Sequence, residues 1–186
     1  MIIRLAECPW QAWKNGLGRT CEVAVQPPAA GSDDFLWRVS VAEVDSAAPF
    51  SCFPGIDRQI VLLDGAGFTM TLDDSHTHAL TTPYAPFAFP GEAKVDVSLA
   101  GGVTRDFNLM VRRNRVLGDV QIWTGPGARM PEPATALVFC ARGEIDTVDG
   151  RLCAGDAWLP TLPANESPKL RDDAVALIVR IEPRQA

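Results

Sequence analysis

Proline and glycine, fifteen of each in 186 residues, are spread along the whole length of this chain. Proline lacks an amide donor and breaks helix interiors, so this spacing leaves little room for long helices. It suits short strands joined by turns. Between these breaks apolar residues alternate with period two. Cys21, Val23 and Val25 share one face; Trp37, Val39 and Val41 oppose Arg38, Ser40 and Ala42; Val95-Asp96-Val97-Ser98-Leu99 repeats the pattern. The run from Ala174 to Ile181 is apolar on both faces, as a covered strand is. Leu109 to Leu117 is the one segment with a helical alternative, and it is read as strand. The expected fold class is all-β.

Turn chemistry and internal similarity suggest the organisation. Asp149-Gly150 has the composition of a two-residue hairpin turn, which would place Asp146 opposite Cys153. Gln59-Ile60-Val61-Leu62-Leu63-Asp64-Gly65-Ala66-Gly67-Phe68-Thr69 is an apolar strand, a glycine step and a second strand. Ala136-Leu137-Val138-Phe139-Cys140-Ala141-Arg142-Gly143-Glu144-Ile145-Asp146 reads the same way, and an acidic turn follows each. Such a repeat points to duplication of one β-rich unit. The Pro/Gly-rich stretch Gly125–Pro133 looks like the junction. The expected division is therefore residues 1–125 and 126–186, two barrels packed together with strands they can share.

A net charge of −6 and a pI near 4.9 disfavour a nucleic-acid partner. The only basic run, Arg112-Arg113-Asn114-Arg115, reads as a strand end or turn. No stretch of about 18 apolar residues is present to span a bilayer, and the first residues do not resemble a signal peptide. A cytoplasmic location with no membrane partner is expected. Five scattered cysteines without a Cys-x-x-Cys pair read as reduced thiols.

Catalytic signatures are sparse. His76 and His78, the only histidines, have the spacing that puts two rings on one strand face, yet they follow the turn Asp73-Asp74-Ser75 and lack a third histidine. A two-histidine, one-carboxylate site remains arithmetically open, but exposed turn residues are the expected reading, with no metal and no cofactor. There is no Gly-x-Ser-x-Gly elbow, phosphate loop or dinucleotide fingerprint. What remains is polar residues that a purely structural barrel would not require. Lys14 and Asn15 sit in a glycine-containing turn before a strand; Arg38 and Ser40 share a strand face, as do Asp106, Asn108 and Met110; Arg58 follows a Pro-Gly turn. If these faces point inward, the donors need partners, and a guanidinium is well shaped to receive a carboxylate.

Several blocks together resemble a known family. Trp13-Lys14-Asn15-Gly16-x-Gly18-x-Thr20-x-Glu22, Trp37-Arg38-Val39-Ser40-Val41-Ala42 and Pro49-Phe50-Ser51-x-Phe53-Pro54-Gly55-x-x-Arg58 are similar to the HutD/Ves family. Leu62-Leu63-x-Gly65-x-Gly67, Phe89-Pro90-Gly91-Glu92 and Asp106-Phe107-Asn108-Leu109-Met110 continue the match in order. The resemblance implies a bicupin, two RmlC-like jelly-roll barrels in one chain, and a link to bacterial histidine utilisation. It implies binding of a pathway metabolite such as urocanate, formylglutamate or formiminoglutamate, without a catalytic step. Leu17 stands where the family usually has a third glycine, and its side chain is expected to narrow the loop's approach to a ligand.

The leading expectation is a metal-free, regulatory protein that binds a small carboxylated metabolite in its N-terminal barrel. The expected ligand-binding residues are Lys14, Asn15, Arg38, Ser40, Arg58, Asp106 and Asn108. The rival from the enzyme class is a metal-independent isomerase or lyase using Lys14, Glu22 or Asp106 as acid or base; a metal oxygenase is the third reading. Strand edges also leave a homodimer open.

Overall fold

A computed structural model describes residues 1–13, 15–27, 34–160 and 167–184. The strands in chain order begin β1 (Ile2–Ile3), β2 (Trp10–Ala12), β3 (Gly18–Gln26), β4 (Trp37–Val44), β5 (Ile56–Asp64) and β6 (Phe68–Leu72). They continue with β7 (His76–Leu80), β8 (Phe87–Pro90), β9 (Val95–Leu99), β10 (Thr104–Arg112), β11 (Val116–Thr124) and β12 (Gly127–Ala128). The last are β13 (Thr135–Arg142), β14 (Glu144–Thr147), β15 (Gly150–Cys153), β16 (Ala157–Trp158), β17 (Lys169–Leu170) and β18 (Val175–Pro183). One 3-10 turn, Leu5–Glu7, is the only helical element among the described residues. The Leu109-to-Leu117 segment divides into the end of β10, a turn and the start of β11. Its basic run lies at that turn, where Arg113 is paired with Asp57 and Glu92.

The chain divides into two compact units. The larger contains Pro9–Leu117 with the C-terminal Arg184–Ala186; the smaller contains Met1–Cys8 with Gly118–Pro183. This differs from a division at residue 125, for a hydrogen-bonding reason. β1 pairs with β16, and β11 is a neighbour of β18, so both segments belong to the second unit's sheet. The Pro/Gly-rich stretch lies within the smaller unit, where β12 pairs with β17.

In the larger unit a six-stranded sheet, β2-β3-β4-β10-β5-β8, accompanies a three-stranded sheet, β7-β6-β9. The core that joins them takes Val44, Ile60, Leu62 and Phe89 from the first, and Phe68, Met70, Leu72, Leu80, Val95 and Val97 from the second. The smaller unit combines β1-β16-β13-β18-β11 with β12-β17-β14-β15 around Val138, Cys140, Ile145, Leu152, Trp158, Leu170 and Ile178. The four sheets are open rather than closed into barrels. Strand order nevertheless repeats: β8-β5-β10-β4 and β7-β6-β9 correspond to β16-β13-β18-β11 and β15-β14-β17. The two similar sequence stretches fall on equivalent steps, β5 to β6 and β13 to β14, whose glycines Gly65, Gly67 and Gly143 all have positive φ.

One hairpin departs from its expected register. Thr147 pairs with Gly150 and Glu144 with Cys153, so Asp146 faces Arg151 and the turn residues are Val148 and Asp149. Asp149 is held by the indole Nε1 of Trp158 at 2.7 Å and by the amino group of Met1. Positive φ is carried by Gly150, already the first residue of β15, not by the turn itself. All five cysteines are free.

Candidate ligand-binding site

Strand alternation builds the site. On β4 the side chains of Arg38, Ser40, Ala42 and Val44 share one face; their partners across β10 are Met110, Asn108, Asp106 and Thr104. The same rows continue onto β5 through Arg58, Ile60 and Leu62, and onto β3 through Glu22 opposite Ser40 and Thr20 opposite Ala42. Ile60, Leu62 and Val44 enter the apolar core, whereas the polar members of these rows collect toward β3, β4 and β10. A sheet face that changes from greasy to polar leaves a recess where the apolar packing stops.

That recess is a cavity of about 490 Å³, within the size range of small-molecule sites. Asn15, Arg38, Ser40, Arg58, Asp106 and Asn108 all line it, so six of the seven expected residues meet in one place. Lys14 lies outside the described residues. Glu22 also lines the cavity but is exposed. Leu17 does not contribute to the lining, so its side chain does not narrow the space; its amide donates to Asn15 Oδ1 at 3.1 Å, an interaction within the loop.

Arg58 and Asp106 are the unusual groups. Asp106 is 0% exposed and Arg58 is 5% exposed. Asn108 lies between them: Arg58 Nη2 donates to Asn108 Oδ1 at 2.9 Å, and Asn108 Nδ2 donates to Asp106 Oδ1. Arg58 Nε and Asp106 Oδ2 are buried with no hydrogen-bond partner. Burial pushes the Asp106 carboxyl up to about 7, against the downward pull of Arg58 and the Asn108 amide. Burial lowers Arg58 to about 10, opposed by Asp106 and reinforced by the like charge of Arg38.

Aromatic rings take the place of water around the guanidiniums. Arg58 lies 4.8 Å from the Phe89 ring, 5.3 Å from Phe50 and 5.6 Å from Phe53. Arg38 lies 5.1 Å from Phe35 and 5.5 Å from Phe53, and its Nη2 contacts the sulfur of Met110 at 3.2 Å. Ring faces attract cations without supplying a counter-charge. Phe50 and Phe53 come from the loop between β4 and β5, which is held by Phe50 N to Val95 O at 2.9 Å and Phe53 N to Gly91 O at 2.7 Å. Gly91 permits this docking, because a Cβ there would lie 2.6 Å from Phe53 O. From the sequence, the Pro49–Arg58 stretch is a block of the family resemblance containing a Pro-Gly turn, and nothing in it assigns Phe50 and Phe53 to the surroundings of Arg58. The signal in the sequence is Phe50 and Phe53 just before the Pro54-Gly55 turn, in the block that also contains Arg58.

The histidines lie elsewhere, on β7. His76 is exposed, and His78 stacks on Phe87 with ring centroids 3.6 Å apart. Burial and the neighbouring His76 lower the pKa of His78. No group of three or more metal-ligating side chains occurs among the described residues.

The architecture is cupin-like: the chain superposes on a cupin 2 conserved-barrel protein from Leptotrichia buccalis with a TM-score of 0.61 and 10% identity, covering 98% of this chain and 96% of that one. Within that class the assignment is specific, since the HutD family model matches residues 5–177 and the chain belongs to that family. A structure of HutD from Pseudomonas fluorescens SBW25 (formate condition) superposes with a TM-score of 0.83 and 29% identity, covering 100% of this chain and 99% of that one. An uncharacterized 21.2 kDa protein in the hutC 3′ region of Pseudomonas putida is 34% identical over 145 residues, 78% of this chain and 75% of the relative. Protein Ves of Cronobacter sakazakii is 39% identical over 115 residues, 61% of each chain.

Proposed function

We propose that the larger unit binds a small carboxylated metabolite in this cavity, without metal, and that binding modulates histidine utilisation in the cytoplasm. The observation that carries the reading is Arg58: a buried guanidinium, caged by aromatic rings, with Nε unpartnered beside an open cavity. A buried cation of this kind is costly unless something satisfies it, and a ligand carboxylate supplies both the charge and the acceptors. Arg38 is the second cation lining the cavity, and the exposed Asn15 lines it as well. Asn108 is better placed to hold Arg58 and Asp106 in position than to orient the ligand. Urocanate, formylglutamate and formiminoglutamate are the preferred candidates; the relative in a hutC 3′ region supports a histidine-utilisation context. The repeated strand order supports reading the two units as duplicated jelly rolls, a bicupin.

Each charge-assisted hydrogen bond contributes about 1.5–3 kcal/mol, so loss of one guanidinium contact weakens binding by roughly tenfold to hundredfold. Calorimetric titration of wild type and Arg38→Gln with the three metabolites tests this. Saturable binding, weakened in the variant, is expected; absence of binding by folded wild type to all three refutes it.

One observation favours a second reading. A buried carboxyl near pH 7 with a free oxygen is suited to general acid–base work, and Asp106 has no ion-pair contact among the described residues. A metal-independent isomerase or lyase would use it. Proton NMR of each metabolite incubated with the protein separates the readings: a new product supports catalysis, whereas unchanged ligand with altered line widths supports binding.

A further inference from the structure

The polar row of the cavity contains a carboxyl group where an anionic ligand is expected. Asp106 sits across from Ala42 on β4 and Leu62 on β5, neither of which offers its side chain a donor. Asn108 satisfies Oδ1, and the buried Oδ2 is left without a partner on a residue that lines the cavity. An ionised Asp106, itself buried from water, would repel an incoming carboxylate with little screening. As the neutral acid it would instead offer an O–H donor.

We propose that Asp106 is the specificity-determining residue of this cavity and acts as the neutral acid, so that a carboxylated ligand enters together with one proton and accepts a hydrogen bond from Oδ2. The inference rests on the reading that the cavity takes a carboxylate, and adds the protonation state that such a ligand requires. One proton moves from solvent to Oδ2, the O–H bond forms, and no other covalent bond changes.

The charged groups that share the cavity fix the sign. They are Arg58 on β5, Arg38 on β4 and Glu22 on β3. Glu43 accepts hydrogen bonds from Arg19 and Arg105, and Glu43 and Arg105 alternate onto the opposite sheet face. In the free protein Arg58 pulls the Asp106 pKa down while burial holds it near 7. A ligand carboxylate against Arg58 cancels that pull, so Asp106 holds its proton more tightly in the complex. Below about pH 7 the free protein already carries the proton and affinity is flat. Above that value the proton must be acquired on binding, and affinity falls tenfold per pH unit until the pKa of the complex is reached.

Calorimetry with N-formylglutamate and glutarate, neither of which titrates between pH 7 and 9, supplies the test. Titrations in buffers of different ionisation enthalpy count the protons. Wild type is expected to take up close to one proton per ligand at pH 8, with Kd rising about tenfold from pH 8 to 9. Asp106→Asn, which cannot ionise, is expected to bind with no proton uptake and a flat Kd. Saturable wild-type binding without proton uptake overturns this inference alone. Failure of folded wild type to bind either compound at any pH overturns the carboxylate reading with it. If Asp106→Asn does not fold, the wild-type proton count decides.

Discussion

Replacing Asp106 by asparagine is expected to stabilise the folded protein at alkaline pH, although the residue is fully buried. Its carboxyl rises from an ordinary 3.8 to about 7 because burial outweighs the attraction of Arg58 and the Asn108 hydrogen bond. A group whose pKa is higher in the folded state makes the native protein bind more protons than the unfolded chain. Stability then falls as pH rises through the interval between the two values. At about 1.4 kcal/mol per pH unit, the ionised group costs roughly 4 kcal/mol above pH 7 and nothing well below pH 4. Asparagine keeps the acceptor for Asn108 Nδ2 but places an amide where Oδ2 was, at a cost of about 1–3 kcal/mol for an unsatisfied donor. The net gain at pH 8 is about 1–3 kcal/mol, and the difference between variant and wild type widens by about 3 kcal/mol from pH 5 to pH 8. Urea denaturation at a series of pH values, followed by the fluorescence of the five tryptophans, measures it. A difference that does not vary with pH would refute an uncompensated buried carboxyl. So would a variant less stable than wild type at pH 8 by the same margin as at pH 5.

Other consequences are equally accessible. Gly91→Ala brings a Cβ to 2.6 Å from Phe53 O; a loss of about 1–3 kcal/mol on thermal unfolding is expected, as for other overpacked sites, with weaker ligand binding because the Phe50–Phe53 loop shifts. Unchanged stability and affinity would show that the loop is not held there. Burial pushes the Cys140 thiol up to about 12, so at pH 8 it remains unreactive while the exposed Cys52 and Cys153 are alkylated by iodoacetamide. Peptide mass spectrometry reads the order, and early labelling of Cys140 contradicts it. Arg58→Met should abolish carboxylate binding and move the Asp106 titration to higher pH, since the attraction that holds it down is gone; carboxyl infrared spectroscopy of the ligand-free protein follows the shift.

The site was legible wherever it depended on strand periodicity. Arg38 and Ser40 lie on one face because they are two apart on an extended strand, and Asp106, Asn108 and Met110 follow for the same reason. Which face points inward was not legible, because Trp37, Val39 and Val41 on the other side are buried as well. The aromatic cage escaped notice for a different reason. Phe35, the Phe50–Phe53 loop and Phe89 belong to three different segments, and only tertiary contact brings them to the guanidiniums. The division of the chain was missed because β1 is two residues long, too short for any periodicity, yet its pairing with β16 assigns the N-terminal segment to the second unit. Composition misled at residues 125–133, where proline and glycine mark turns inside a unit.

Whether a carboxylate occupies the recess beside Arg58 is best settled by a crystal structure grown with saturating N-formylglutamate or urocanate. The predicted result is ligand density in that cavity, with a carboxylate about 2.7–2.9 Å from a guanidinium nitrogen of Arg38 or Arg58. Saturable binding in solution with the ligand located elsewhere, or with only water beside those arginines, would contradict it.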